Sequence, residues 1–590
     1  MINELVHSFA WSNLGVEVKN RKTKQPLSIL TDSNGLVRRG EMLAIMGPSG
    51  SGKTTLLNAL AHRPAAAGAS TTGEILANGQ HIGLQQLRQF SSYVEQEDAL
   101  IGSLTVRETM RFAAGLSLSS STSKPERKKR VDDLIASFGL QDQADTIVGT
   151  PIKKGLSGGQ KKRLGVASRL ITAPRILFLD EPTSGLDSTL SYEVMAYIKD
   201  IAKRHKLIII ASIHQPSTAT FKLFDQLCLV AKGKTCYLGP LTHASNYFGN
   251  LGYEMPMEIN PAEFFLDLIN TDLGKEGSGI HTRIQAITDA WSDSSLYHTL
   301  TEVIAATVSG SHSYGAPEVD IPDLSKIKAE HPSLWAIPLV LLHRSWIKAY
   351  RDLVAYWIRI IMYFGLAILM GTSFLRLNST QNDIQPFINA IYFCGAFMSF
   401  MAVAYVPAFL EDLDTFSKER ANGTSINDTT YPMLERSANS SLGLVGPLAF
   451  SLSNFIIGLP FLSIIALVYS LVAYFLIGFR PDPGSFLYFL LWLFLDLAAA
   501  ESLVVLVSVI FPVFVVALAV TAFANGLWMC VDGFLVPMST LNPFWKYVGH
   551  YIDYQAYVFQ GMMVNEFKQR IYTCAELEPG VYQCMYPSGE

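Results

Sequence analysis

Residues Met42 to Leu60 read MLAIMGPSGSGKTTLLNAL. Five consecutive apolar residues form the pattern of a short strand buried on both faces. The glycines Gly47, Gly50 and Gly52 then let the backbone curl so that its N–H groups point at phosphate oxygens, at the positive end of the helix that TTLLNAL begins. Strand, glycine-rich turn, Lys-Thr and helix make a phosphate-binding P-loop, formed by Gly47, Pro48, Ser49, Gly50, Ser51, Gly52, Lys53, Thr54 and Thr55. Lys53 is expected to reach the outer phosphates of a nucleoside triphosphate, and the Thr54 hydroxyl to ligate Mg2+.

Working outward, Arg175 to Asp187 reads RILFLDEPTSGLD, a second buried strand that delivers two adjacent acids at its carboxyl end. Ligands of open α/β sheets bind at that end. Asp180 is placed to hold the Mg2+, and Glu181 to orient or deprotonate an attacking water. Between the two strands, LSGGQ at Leu156 to Gln160 opens another helix with small residues at its amino terminus. The basic run KPERKKR at Lys124 to Arg130 has no interleaved aromatics, so it reads as a solvated helix of a helical subdomain rather than a nucleic-acid surface.

The chain has 590 residues, of which 49% are hydrophobic and only 16% charged, with net charge −4 and mean hydropathy +0.25. A soluble globular protein carries about 25% charged residues. The deficit argues against a disordered chain or an ordinary cytosolic enzyme, and the balanced charge offers no global field for nucleic acid. Six cysteines are too few for a disulfide scaffold. The apolar excess is concentrated: roughly the first 330 residues carry charges throughout, and the remainder contains long uncharged windows. Residues 1–240 read as a nucleotide-binding domain, 241–332 as an irregular, polar linker region, and 333–352 as a basic amphipathic connecting helix.

Residues 353–590 read as an all-α polytopic membrane domain, with spans at about 354–375, 386–410, 447–479, 484–510 and 513–535, each near or above the roughly 20 residues that cross a bilayer. The 38 uncharged residues from Leu442 to Phe479 are expected to make one crossing preceded by an interfacial stretch near Pro447. Residues 536–590 read as an extracellular loop. Arg344, Lys348 and Arg351 before the first span put that side in the cytosol. On this topology the sequon at Asn378 is glycosylatable, and those at Asn422, Asn427 and Asn439 are not. Asp496 and Glu501, within the fourth span, are costly in hydrocarbon and must face protein or water, with polar helix-to-helix packing the leading reading. Cys574 and Cys584 fall outside, where an oxidising environment permits a disulfide within or between chains.

GPSGSGKT, LSGGQ, ILFLDE, SGLD at Ser184 to Asp187 and His214, in that order, resemble an ABC-transporter ATPase over roughly Phe9 to Pro240. The resemblance implies that Ser157, Gly158 and Gly159 act in trans on the γ-phosphate held by a second domain's P-loop, with Gln160 of the same motif among the nucleotide-binding residues. It also implies that Gln96, in SSYVEQED, senses the metal and that His214 contacts the γ-phosphate. The family places an aromatic residue 25 to 30 positions before the P-loop to stack on adenine; NLGVEVKN around Val16 offers none, and Trp11 is out of register. ATPase first and spans second is the order of the G subfamily of ABC half-transporters. NPAEFF at Asn260, KERANG at Lys418, ESL at Glu501 and VNEF at Val564 extend that resemblance along the chain.

From this resemblance the chain is expected to bind ATP and Mg2+, to form a homodimer or a heterodimer with another half-transporter, and to export a lipid, sterol or amphipathic xenobiotic across the plasma membrane by alternating access. The alternative is a regulatory partner that hydrolyses ATP without moving cargo. By similarity to the drug-exporting members, Phe397 and Phe400 face a central cavity, and Phe534 with Leu535 form its outer plug. Those members have six spans against the five counted here, so the chain is expected to lack the last crossing.

Overall fold

The computed structural model describes residues 3–19, 25–63, 69–96, 100–119, 121–150, 153–256, 258–270, 280–308, 336–352, 356–421, 445–568, 570–578 and 581–584. The chain divides into two compact units, one built from Met1–Val340 and Glu419–Gly446 and one from Leu341–Lys418 and Pro447–Glu590.

The first unit carries two sheets. β1 (Ser8–Lys19), β2 (Pro26–Arg38), β4 (Ser70–Ala77) and β5 (Gln80–His81) form an antiparallel sheet in the order β2-β1-β4-β5. The second sheet uses β3 (Met42–Met46), β6 (Ser91–Val94), β7 (Ile176–Asp180), β8 (Ile208–Ser212), β9 (Gln226–Ala231) and β10 (Lys234–Pro240), in the order β10-β9-β3-β8-β7-β6. MLAIM, ILFLD and IIIAS are buried along their whole length, as parallel strands covered on both faces must be. Their register pairs Ile45 with Ser212 and Ser212 with Asp180. The carboxyl ends of β3, β8 and β7 therefore lie side by side. Phe9 meets Phe178 edge-on at 5.9 Å and ties the two sheets into one core.

The stretch 241–332, read from sequence as irregular, carries four helices among its described residues: Leu241–Asn250, Pro261–Ile269, Ile280–Ser292 and Ser295–Val308. Phe248, Phe265 and Trp291 are buried in the core of the ATPase sheets, with Trp291 5.6 Å from Tyr237 and Phe248 5.3 Å from Phe265. The apolar residues of these helices are spaced on one face among many polar ones, a pattern easily mistaken for a loop. Residues 309–332 lie outside the described part, as do the sequons at Asn422, Asn427 and Asn439.

In the second unit the helices are Ile358–Ser373, Ile384–Ala421 interrupted by a 3-10 turn at Ala402–Tyr405, Val445–Ile477, Pro483–Ile510 and Phe514–Val531. Among the described residues, four helical segments are long and apolar enough to cross a membrane; Ile358–Ser373 is shorter, at 16 residues. Among the described residues no separate interfacial segment precedes the second of the four: Val445–Ile477 is one helix of 33 residues. Pro447 sits in its first turn, where no backbone donor is lost. The region 536–590 is not simply a loop. Its helix Tyr554–Phe567 buries Val558 and Met562 in the same core as the long helices. Gln555, Gln560, Asn565 and Glu566 break its apolar run, which is why hydropathy does not announce it. Beyond it, β11 (Ala575–Glu578) and β12 (Val581–Gln583) form a hairpin closed by a Cys574–Cys584 disulfide within the chain.

Candidate active site

Four chain segments converge at the carboxyl ends of the parallel strands. After β3, the loop closes so tightly that a Cβ on Gly47 would lie 2.2 Å from the carbonyl oxygen of Val230, whereas a Cβ on Gly50, at φ 71°, would meet nothing within 4 Å. The first glycine is forced by close approach, and the second by its left-handed backbone, with open space beside it. Lys53 donates to the carbonyls of Gly47, at 2.9 Å, and Pro48, at 3.0 Å. Its burial lowers its pKa below the usual lysine value, with the Glu181 and Asp180 carboxylates acting in the opposite direction. A desolvated ammonium at the rim of a nest of N–H groups is a site for an anion. The buried hydroxyl of Ser51 has no hydrogen-bond partner there.

The Asp180 carboxylate collects hydroxyls from three elements. Oδ1 accepts from Ser212, at 2.7 Å, and from Thr54, at 3.3 Å; Oδ2 accepts from Tyr93, at 3.2 Å. Burial, and the carboxylate beside it, push the Tyr93 phenol above its ordinary pKa, so it stays a donor. Glu181 is held at φ 44°, a left-handed conformation costly for a side-chain-bearing residue, and its N–H donates to the Ser212 hydroxyl at 2.9 Å. Its Oε2 accepts from Gln96 Nε2 at 2.8 Å. Thus Lys53, Thr54, Asp180, Glu181 and Gln96 come together as one cluster. Tyr93 and Ser212 belong to it as well, and their motifs were visible while their roles were not. His214 is exposed two residues beyond Ser212.

Ser157 caps the helix Gly158–Arg169: its hydroxyl accepts from the N–H of Gln160 at 3.3 Å, and the Gln160 side chain accepts from the N–H of Ser157 at 2.9 Å. Gln160 thus shapes the helix start, while Ser157 and Gly158 are exposed there. Lys162 on the same helix donates to the carbonyl of Gln96, linking the signature helix to the glutamine loop. Trp11 is fully buried, its indole N–H bonded to Ser33 at 3.1 Å, and serves the core rather than a ligand.

In the second unit, Arg359 pairs with Glu501, and Ser399 donates to Asp496 at 2.6 Å, so both intramembrane acids of the fourth predicted span are engaged by other helices. Phe397 and Phe400 are exposed on this chain, as is Leu535. Phe534 instead stacks on Tyr392 at 4.1 Å.

Matches to known proteins follow the same division. An ABC transporter family model matches residues 30–184, and ABC-2 type transporter models match 214–326, 339–431 and 428–567. The chain is 34% identical to ABC transporter G family member 1 of Petunia hybrida, over 95% of this chain and 84% of that protein. It is 32% identical to member 11 of Arabidopsis thaliana, over 96% and 79% of the two chains, and 31% identical to member 13 of the same plant, over 94% and 82%. With an ATP-binding, ATP-hydrolysing domain preceding an apolar helical domain, the chain belongs to the G family of ABC transporters, as a half-transporter that couples ATP hydrolysis to transport across a membrane.

Proposed function

We propose that the chain exports a lipid, sterol or amphipathic xenobiotic across the plasma membrane, working as a homodimer or as a heterodimer with another half-transporter. The observation that carries the ATPase part of this reading is the convergence of Thr54, Asp180, Glu181 and Gln96 at the ends of β3, β7 and β6, with Glu181 pre-positioned by Ser212. Phosphates enter the Gly47–Thr55 cradle, and Lys53 exchanges its two carbonyls for phosphate oxygens. Hard oxygen donors from Thr54 and Asp180, 3.3 Å apart, suit Mg2+, with Gln96 at their margin. Bound there, Mg2+ would neutralise charge on the phosphates.

Glu181 takes the proton of the attacking water, held in place by Gln96. His214 contacts the γ-phosphate, and the helix start at Ser157, Gly158, Gly159 and Gln160 caps the nucleotide of a second chain in trans. Closure around ATP opens the pathway outward, and hydrolysis resets it.

ATP-dependent uptake by inside-out vesicles tests this reading across sterols, phospholipids and fluorescent drugs. Wild type is expected to accumulate at least one of these cargoes, and Glu181→Gln none. ATP hydrolysis with no cargo moved would favour a regulatory subunit instead.

A second expectation concerns base choice. With no aromatic near Val16 and Trp11 committed to the core, the about 1–3 kcal/mol that a stacked base contributes is missing. GTP and ATP should therefore be hydrolysed with kcat/KM values within about tenfold of each other. A hundredfold adenine preference in a phosphate-release assay would refute it.

A further inference from the structure

The two oxygens of the Asp180 carboxylate have different surroundings. Oδ1 accepts from Thr54 and Ser212, whereas Oδ2 has the Tyr93 phenol as its donor, at 3.2 Å. Tyr93 stands opposite Phe178 in the parallel pair β6–β7, so Phe178 and, two residues on, Asp180 share the face on which the Tyr93 ring lies. The ring stacks on Phe178 at 6.4 Å, and its hydroxyl ends at the carboxylate.

The same ring is held by a cation. The Arg63 guanidinium lies over it at 4.2 Å from the centroid and pairs through Nη2 with Glu95 Oε1 at 2.8 Å. Arg63 follows the helix Lys53–Leu60 that the P-loop begins, its N–H bonded to the Asn58 carbonyl at 2.8 Å, and Glu95 immediately precedes Gln96. One side chain therefore joins the far end of the phosphate-binding helix to the phenol on Asp180 and to the segment that carries Gln96.

Packing does not account for the hydroxyl. Tyr93 is 5% exposed, and a phenylalanine there would fill the same space and keep both ring contacts. A buried hydroxyl costs free energy unless it is bonded, so what tyrosine adds at this position is its bond to Asp180. Carboxylates that ligate metals are themselves held by hydrogen bonds, and losing such a partner typically costs about 10–100-fold in metal affinity.

We propose that Tyr93 and Arg63 are positioning residues for the metal: Tyr93 holds Oδ2 so that Oδ1 stays turned toward Thr54, and Arg63 fixes the Tyr93 ring. The proposal rests on the reading of Asp180 and Thr54 as Mg2+ ligands and adds the side chains that set their geometry. Without the phenol the carboxylate turns more freely about its χ2 bond. Its metal-ready orientation is then less populated, and the apparent metal affinity falls by that fraction.

The test uses the full chain in nanodiscs, in the Glu181→Gln form so that nucleotide is not consumed, and compares the affinity for ATP in EDTA with that for ATP in Mn2+, standing for Mg2+. The ratio of the two affinities is the metal's contribution. Tyr93→Phe should lower that ratio about tenfold while leaving the affinity in EDTA within about twofold of the parent. Arg63→Met, which keeps the phenol but frees its ring, should lower the ratio by at least about threefold, and the double variant should lose less than the product of the two, because both act through one hydroxyl.

A ratio that Asp180→Asn abolishes but Tyr93→Phe leaves within about twofold of the parent would overturn the proposal alone and make Tyr93 a packing residue. Equal losses in EDTA and in Mn2+ would overturn it too, since they would mark a general distortion of the nucleotide site. No metal contribution in the parent, or one that survives Asp180→Asn, would sink the reading of Asp180 as a metal ligand instead.

Discussion

Glu181→Gln should lower ATP turnover by at least about a hundredfold, the contribution typical of a positioned general base, while leaving nucleotide binding and the unfolding midpoint close to wild type. The amide has the same shape and, turned suitably, can keep the contact to Gln96, whose Nε2 now donates to Glu181 at 2.8 Å. The backbone of residue 181 is anchored independently, through its N–H to Ser212, so its left-handed φ of 44° should survive the change. What is lost is only the capacity to accept a proton. Phosphate release in nanodiscs, beside binding of a fluorescent ATP analogue, separates the two effects. Retention of more than a tenth of the wild-type turnover would remove Glu181 from the role of base.

Asp180→Asn should differ in kind. It disturbs the acceptor of the Thr54, Ser212 and Tyr93 hydroxyls together, and so should weaken binding as well as turnover.

The nucleotide site was legible because its chemistry sits on consecutive residues. MLAIM running into GPSGSGKT, and ILFLD running into Glu181, each state strand, strand end and reactive group in one short stretch. The contributions of Tyr93 and Ser212 were hidden for a reason of geometry. Each hydroxyl reaches Asp180 only because β6 and β8 flank β7 in one particular register, Val94 opposite Leu179 and Ser212 opposite Asp180, and register is a tertiary fact.

The helices of 241–308 were missed because their buried faces are narrow, and the Tyr554–Phe567 helix because Gln555 and Glu566 interrupt its hydropathy. The stacking of Phe534 on Tyr392 is a tertiary contact of the same kind, between residues far apart in the chain. The long apolar helices were readable because length and hydrophobicity alone define them.

Breaking the Arg359–Glu501 pair should have the largest effect on stability. Arg359, in the first turn of Ile358–Ser373, is 2% exposed; Glu501 lies within Pro483–Ile510, and the guanidinium also sits 5.2 Å from the Tyr405 ring at the 3-10 turn of a third helix. One side chain thus pins three helices. Arg359→Met leaves a buried carboxylate without its cation, a change that costs about 3–5 kcal/mol in a closely packed site. Glu501→Met leaves the guanidinium bare and should cost a similar amount.

The double variant is the decisive measurement, because two apolar side chains of comparable volume carry no uncompensated charge, and such replacements are often neutral or stabilising. Unfolding midpoints of the four proteins in one detergent should therefore give both single variants strongly destabilised and the double variant recovering most of the loss, a coupling of at least about 2 kcal/mol. Strict additivity would mean that each residue acts through other partners and that the pair is not what holds these helices together. Recovery of folding without recovery of ATP-driven transport would give the pair a second role, in passing motion between the helices it joins.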